Sequence, residues 1–269
     1  MRSARKEHTA PINKARLHDT LTRANQYGFN SATGGINRVA FSKADFDARH
    51  WLVQEMKDAG LKVWLDGVGN VYGRFGPATG PCVMSGSHLD SVPEGGKLDG
   101  VYGVLAALES IRAIKDSGLQ PEVAIEVVAT ADEEGRFGGM LGSQAIAGSV
   151  DAGWLNSSRD AEGVALKDAM ASQGLDSQAA LQDCRRQLKP DDILAFIELH
   201  IEQGPVLEQQ ALDIGVVTGI SGTANPIVTF TGEANHSGTT PMSLRRDAVA
   251  GFCKLGSLIP DIIQKHGSK

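Results

Sequence analysis

The stretch PCVMSGSHLDSVPEGGKLDG, at residues 81–100, contains the pattern that best predicts the fold of this chain. Its first eight residues form a largely apolar run without alternation, which is typical of a strand buried on both faces of a parallel sheet. The run ends at His88 and Asp90, and a glycine-rich segment containing Asp99 leads into a predicted helix over residues 99–115. A buried strand, a polar loop and a helix in succession indicate an α/β unit.

Other segments repeat this alternation of strand and helix. Two further apolar runs, VAIEVVAT and ILAFIELH, predict buried strands at 123–130 and 193–200. Short strands are predicted in LKVWLD (61–66) and NVYGRF (70–75). Helices are predicted over residues 11–27, from Ser42 onward and from residue 142 onward, and Asp45 is the expected capping-box partner of Ser42. This order predicts an α/β fold with a mostly parallel central sheet and flanking helices.

The pattern changes after Asp213. GVVTGI (215–220) and PIVTFTGEA (226–234) predict the two strands of a hairpin, and a helix is predicted from Ser243 to about Lys265. We therefore predict one domain over residues 1–212 and the first part of an α+β domain over 213–269, without the strands that would complete its sheet.

The composition excludes several classes of protein. Of the 269 residues, 41% are hydrophobic and 22% charged, and the net charge of -6 without a Lys/Arg-rich stripe argues against a nucleic-acid partner. No apolar run is long enough to span a membrane, and no apolar segment follows the basic first residues, so no secretory signal is predicted. Cys82, Cys184 and Cys253 lack metal-binding spacing, which favours a reducing cytoplasm over a disulfide framework.

Residues able to bind metal follow each of the three predicted buried strands. His88 and Asp90 end the first, Glu133 and Glu134 follow the second, and His200 ends the third. In open α/β sheets the carboxyl ends of the strands form the edge at which ligands bind. These side chains are therefore expected to meet at one edge.

Each of these residues has an ordinary structural alternative when taken alone. Asp99 could cap a helix, the Glu133-Glu134 pair could be a solvated acidic turn, and a histidine after a strand is most often structural. Together, two histidines and two carboxylates match a catalytic Zn, Mn, Ni or Co site, and the additional glutamate provides the general base that such a site needs. We therefore predict a metal site.

Four motifs in this order resemble the hydantoinase/carbamoylase branch of the dinuclear aminoacylase and carboxypeptidase superfamily. They are HLDSVPEGGKLDG (88–100), DEEGRFGGMLGS (132–143), ELHIEQGPVLE (198–208) and GEANHSGTTPM (232–242). The branch includes N-carbamoyl-L-amino-acid hydrolases, allantoate amidohydrolases and β-ureidopropionases. The resemblance implies a zinc-peptidase type of α/β catalytic domain interrupted by a smaller lid domain that also forms a homodimer.

The resemblance also implies roles for individual residues. Two divalent ions would be bridged by one carboxylate, the first ion would be held by two histidines, and a glutamate would bind the second. The bridging carboxylate would be Asp99, the two histidines would be His88 and His200, and the glutamate on the second ion would be Glu134. Glu133 would be the general base, Asp90 would orient His88, and Gln203 would contact the substrate. His236, on the lid, would reach the substrate carbonyl in the neighbouring active site of the dimer, although by itself it could be a turn residue.

Some features of the sequence leave the identity of the substrate undetermined. Members of the family are much longer than this chain, so the last histidine ligand of the second metal and the residues that grip the substrate carboxylate are expected beyond Lys269, and the isolated chain is expected to have weak or no activity. The short EEGRFGGMLGS stretch and Asn225-Pro226 depart from common family patterns near the substrate. An aminoacylase or dipeptidase, and a non-catalytic dimerising or binding module, are the alternatives.

Overall fold

The computed structural model describes residues 10–184, 192–220, 222 and 226–267. The chain divides into two compact units, Met1–Val206 and Leu207–Lys269. In the described residues the first unit contains the elements α1 (Lys14–Ala24), α2 (Lys43–Asp58), β1 (Lys62–Leu65), β2 (Val71–Phe75), β3 (Cys82–His88), α3 (Val101–Asp116), β4 (Ala124–Thr130), α4 (Leu141–Ile146), α5 (Ala152–Ser157), α6 (Leu166–Ser172), α7 (Ser177–Cys184) and β5 (Ile193–Ile197).

The described strands form one five-stranded sheet in the order β1-β2-β4-β3-β5. β4, β3 and β5 pair in parallel, whereas β2 pairs antiparallel with both β1 and β4. Only β2 therefore runs against the other strands, which confirms the predicted mostly parallel α/β sheet. In the parallel register of β3 and β4, His88 lies opposite Thr130, so both strands end at the same edge.

The helix α3 forms the centre of the core because its apolar residues recur at helical spacing. Val104, Leu105, Leu108 and Ile111 are almost completely buried and belong to one cluster with residues of β2, β4, α1 and α2. Burying a side chain of this size contributes roughly 1.5–3 kcal/mol. The helix is thereby fixed against the sheet, with its first turn close to the end of β3.

The strand β5 differs from its prediction. It was expected to be buried, but Leu194, Phe196 and Ile197 are 56%, 47% and 58% exposed. The reason is its position, since β5 pairs with β3 on one side and forms an edge of the sheet among the described residues. An apolar run predicts that a strand tends to be buried, but the strand becomes buried only where other parts of the structure cover its side chains.

The second unit contains α8 (Val206–Gln209), which begins one residue before it, a 3₁₀ turn at Met242–Leu244 and α9 (Ala248–His266). Asp247 caps α9 by accepting hydrogen bonds from the backbone N–H groups of Val249 and Ala250. The predicted hairpin is wrong for the described residues: 215–220 and 226–234 form no strand, and Ser221 and residues 223–225 lie outside the described residues. Two short strands gain stability only when their hydrogen bonds are paired within a larger sheet.

None of the helices in the described parts of the chain combines the length and the apolar character needed to cross a lipid bilayer.

Candidate metal centre

Three parallel strands deliver the candidate ligands to one edge of the sheet. His88 is the last residue of β3, Glu133 and Glu134 follow the end of β4, and His200 follows the end of β5. Asp99 lies just before α3. The carboxyl ends of parallel strands meet at a common edge, and this brings residues more than 100 positions apart in the sequence into one site.

His88, Asp99 and His200 form the candidate metal-binding group of the described residues. Their potential ligand atoms all lie within 4.8 Å of one another. Asp99 Oδ1 is 3.2 Å from His200 Nε2 and 4.0 Å from His88 Nε2. The same Oδ1 atom is buried and has no hydrogen-bond partner. A buried carboxylate oxygen that faces two imidazole nitrogens fits the binding of a divalent cation.

Both histidines present Nε2 to this group because Nδ1 is engaged elsewhere. His88 Nδ1 lies 2.9 Å from the carbonyl oxygen of Asp90, and His200 Nδ1 lies 2.8 Å from that of Ile201. A carbonyl can only accept, so Nδ1 carries the proton in each ring and the Nε2 lone pair is free. This is the usual way in which a neighbouring backbone group prepares a histidine to bind a metal.

Asp90 contacts two parts of the site in different ways. Its backbone carbonyl accepts from His88, while its carboxylate lies 4.0 Å from His88 Nδ1. One carboxylate oxygen, Oδ2, accepts the backbone N–H of Glu134 at 3.1 Å. Asp90 therefore links the end of β3 to the loop after β4, and its contact with His88 is through the main chain rather than the side chain.

The two glutamates lie in different surroundings. Glu133 Oε2 is 3.5 Å from His88 Nε2, and its side chain is 37% exposed, so it can reach both the ligand group and solvent. Burial is the largest cause that raises the pKa of Glu134; the charge of His88 lowers it, and the charges of Asp99, Glu133 and Asp90 each raise it by a smaller amount. Glu134 is not part of the group formed by the two histidines and Asp99. A cation would relieve this repulsion.

The backbone before Glu133 is in an unusual conformation. Asp132 has a φ of 50°, in the left-handed region that non-glycine residues seldom adopt, and its side chain is fully buried. Burial, followed by the charge of Asp90, raises the pKa of Asp132 to about 7. Such conformations cost of the order of 1–3 kcal/mol and are concentrated at functional sites.

Gln203 and His236 were predicted to contact the substrate, and both have hydrogen bonds within the chain. Gln203, with a φ of 54°, donates from Nε2 to Asp99 Oδ2 at 2.7 Å, so it lies at the metal-binding group. His236 is in the second unit, where its Nδ1 accepts from the backbone N–H groups of Gly238 at 3.1 Å and Thr239 at 3.2 Å. These two bonds leave Nε2–H of His236 as a hydrogen-bond donor.

Gly100 is a residue of the site that the sequence reasoning did not identify. Its φ is 64°, and a Cβ atom built on it would lie 2.5 Å from Cγ and Nδ1 of His88. The imidazole therefore occupies the space of a missing side chain. The glycine after Asp99 in the KLDG segment was the available signal, because a glycine beside a candidate ligand indicates a positive φ or a close approach.

An α/β sheet with histidine and carboxylate side chains at its carboxyl edge is characteristic of a metallohydrolase. Residues 84–256 match the profile of peptidase family M20/M25/M40, and the chain belongs to this family. The resemblance to the hydantoinase/carbamoylase branch is also confirmed, because solved structures of that branch align with nearly the whole chain.

The chain is similar to several named relatives. It is 41% identical over 263 residues to an N-carbamoyl-L-amino acid amidohydrolase from Geobacillus stearothermophilus, covering 96% of this chain and 63% of the relative. It is 40% identical over 243 residues to an allantoate amidohydrolase from Escherichia coli, covering 89% of this chain and 58% of the relative. It is 40% identical over 245 residues to a ureidoglycolate hydrolase from rice, covering 89% and 50% respectively.

Among solved structures, an amidase of the hydantoinase/carbamoylase family from Burkholderia phymatum superposes with a TM-score of 0.78 at 38% identity, covering 96% of this chain and 62% of that protein. A family amidase from Burkholderia ambifaria gives a TM-score of 0.77 at 36% identity, covering 97% and 64%. The chain thus spans less than two thirds of the length of these relatives.

Proposed function

We propose that this protein is a metal-dependent amidohydrolase that cleaves a C–N bond of an N-carbamoyl (ureido) compound, such as an N-carbamoyl-L-amino acid. The observation that carries the proposal is the group of His88, Asp99 and His200 with Glu133 beside it. The names of the relatives support a ureido substrate, since they include hydrolases of N-carbamoyl amino acids, allantoate and ureidoglycolate.

We propose that the site holds two divalent ions, either Zn or Mn, Co or Ni, since histidine and carboxylate donors suit all of these metals. His88 and His200 would hold the first ion, Glu134 the second, and Asp99 both. Bound ions of this kind polarise a carbonyl group and lower the pKa of water, which matters for a ureido carbonyl because two nitrogens donate electrons into it.

Glu133 would act as the general base. Its partly exposed carboxylate, near His88 Nε2, can accept a proton from the attacking water and pass it to the leaving nitrogen. Hydrolysis of an N-carbamoyl amino acid at this bond releases the amino acid and carbamate, which decomposes to ammonia and carbon dioxide. His236, with its Nε2–H as a donor, would stabilise the negative charge that develops on the substrate carbonyl oxygen.

We also propose that residues 1–212 form the catalytic domain and 213–269 the first part of a lid through which two copies form a homodimer. The separate compact unit at Leu207–Lys269 supports this division. A cytoplasmic location, with no nucleic-acid or membrane partner, is supported by the net charge of -6 and by the free thiols of Cys82 and Cys253.

The experiment is a substrate screen of the complete protein loaded with Zn²⁺ or Mn²⁺. Ammonia and amine release would be measured with N-carbamoyl-L-amino acids, N-carbamoyl-β-alanine, allantoate, an N-acetyl amino acid and a dipeptide. We expect the ureido compounds to give the highest kcat/KM. Faster turnover of the acetylated amino acid or the dipeptide would instead identify an aminoacylase or a dipeptidase.

The matched variant for this screen is Glu133→Gln, which keeps the size of the side chain but removes the base. We expect unchanged metal content and a loss of kcat of about 10²–10⁴-fold or more. Turnover at the wild-type rate would reject Glu133 as the base. A complete protein that binds no metal would instead support the non-catalytic binding module.

A further inference from the structure

Arg38 is a completely buried cation that lies behind the candidate metal centre. It is 0% exposed. Its Nε donates to the carbonyl oxygen of Leu89 at 2.5 Å, and its Nη1 donates to the carbonyl oxygens of Ala24 at 3.2 Å and Tyr27 at 3.0 Å. The first acceptor belongs to Leu89, the residue between His88 and Asp90. The other two belong to the last residue of α1 and the turn that follows it.

The backbone of Arg38 contacts the same segment. Its N–H donates to Ser91 Oγ at 3.0 Å, and its carbonyl oxygen accepts the N–H of Ser91 at 2.9 Å. Ser91 Oγ in turn donates to the carbonyl oxygen of Ile36 at 3.1 Å. Residues 88–91 therefore leave β3 along a path that is held on one side by Arg38, and this path places the Asp90 carbonyl against the His88 ring.

Stability alone does not explain this arginine. Within the described part of the chain the hydrogen bonds of its guanidinium all go to backbone carbonyls, and its Nη2 is buried without a partner. Burial lowers the pKa of Arg38 to about 10, although the charges of Asp45 and Asp90 act in the opposite direction. An unsatisfied buried donor costs free energy, and replacing buried charged groups by apolar side chains of similar volume is often neutral or stabilising.

Arg49 makes similar contacts at the neighbouring strand. It is 2% exposed, and its Nη2 donates to the carbonyl oxygen of Thr130 at 3.1 Å, at the end of β4 and just before the segment with Glu133. Unlike Arg38, it is paired with a carboxylate, that of Asp45 at 2.9 Å. Two of the three parallel strands that supply candidate site residues, β3 and β4, thus have a buried arginine bonded to a carbonyl group at or just after their last residue.

We propose that Arg38 is a positioning residue that sets the geometry of His88 through the Leu89 carbonyl, and so tunes the affinity of the site for its first metal ion. This proposal rests on the metal centre of the proposed function. A guanidinium suits the role because its donors have a fixed planar arrangement, so it can bond the end of α1 and the end of β3 at the same time. Arg49 has the equivalent position at β4, but its removal would also leave Asp45 unpaired, so Arg38 gives the clearer test.

The experiment compares Arg38→Met with Arg112→Met in the complete protein. Arg112 is also an inward-facing arginine, bonded to Glu55 and Thr20. It lies near the C-terminal end of α3, whereas Asp99 of the candidate site comes just before the N-terminal end of that helix. Zn²⁺ dissociation constants would be measured by chelator competition, the Co²⁺-substituted protein would be examined by its visible absorption spectrum, and Tm would be recorded for both variants.

We expect Arg38→Met to raise the Zn²⁺ dissociation constant about 10–100-fold and to change the Co²⁺ spectrum, as the loss of partners behind metal ligands commonly does. Arg112→Met should lower Tm but leave the dissociation constant within about twofold of wild type. Should Arg38→Met fail to fold, Arg38→Lys decides the question. The single nitrogen of a lysine does not reproduce the separate Nε and Nη1 donors that bond Leu89 and α1, so this variant should also weaken Zn²⁺ binding.

A wild-type dissociation constant in whichever Arg38 variant is folded would overturn the role of Arg38, even if Tm fell. A wild-type protein that binds no Zn²⁺ would reject the metal centre itself and this inference with it. The two failures are therefore distinguishable.

Discussion

Gly100→Ala directly tests the arrangement of the metal centre. In the structure the added Cβ would lie 2.5 Å from Cγ and Nδ1 of His88, whereas ordinary contacts begin at 3.4 Å. The ring would have to move by about 1 Å, and displacements of this size in a functional site can lower activity about 10²-fold. His88 cannot easily yield, because it is 2% exposed and its Nδ1 is bonded to Asp90.

The substitution also strains the backbone, so it needs a control that separates strain from contact. Gly118, just after the other end of α3, has a φ of 69° against 64° for Gly100, and a Cβ atom there would meet nothing within 4 Å. Both substitutions place a Cβ atom at a positive φ, which costs roughly 1–2 kcal/mol in the left-handed helical region. Gly100, with a ψ of -55°, lies outside that region, so an alanine there is strained further. Only Gly100→Ala adds the contact with the imidazole ring.

The assay is calorimetric titration of Zn²⁺ into both metal-free variants of the complete protein, with Tm recorded alongside. Gly118→Ala should lose stability but bind Zn²⁺ as the wild type does. Gly100→Ala should bind Zn²⁺ at least about tenfold more weakly, in line with the effect of disturbing the residues behind a metal ligand. Equal Zn²⁺ affinity in the two variants would show that the His88 ring position does not control metal binding, and would refute this reasoning.

Two further predictions concern a residue of the second unit and a buried thiol. His236→Ala in the complete protein should lower kcat about 10²–10³-fold, as the loss of one oxyanion donor does, while metal content stays constant; a parallel loss of both would indicate a structural histidine. Burial, followed by the charge of Glu126, raises the pKa of Cys82 from 9.0 to about 12. The neutral thiol therefore favours the folded state below pH 9, and this contribution is lost as the pH rises toward 12. At pH 8, iodoacetamide should modify the exposed Cys253 much faster than Cys82 in the folded chain, as followed by peptide mass spectrometry; similar rates would contradict the buried position of Cys82.

Much of the local structure follows from the sequence, because local patterns have local causes. The apolar runs that predict β3 and β4 form those strands, since a strand covered on both faces needs apolar side chains at consecutive positions. Ser42 caps α2 as predicted, with its Oγ accepting the N–H of Asp45. The carboxylate of Asp45 bonds the N–H of Phe41 at 2.9 Å instead of completing the predicted capping box with Ser42.

The types of residue in the candidate site also follow from the sequence. The histidines and carboxylates occur at the ends of predicted strands, and parallel strands place such ends together whatever their order in the sheet. His88, Asp99 and His200 could therefore be grouped before any coordinates were known. Their chemistry, rather than their exact positions, was predictable.

The tertiary structure alone decided the features that depend on the path of the chain. Periodicity predicts that a side chain will be buried but not what will cover it, so the exposed edge position of β5 and the antiparallel insertion of β2 could not be foreseen. The same holds for the backbone carbonyls that orient the histidines and for the position of Arg38 behind Leu89. These contacts are made to backbone carbonyl groups. Every residue has such a group, so the sequence does not indicate which of them will be used.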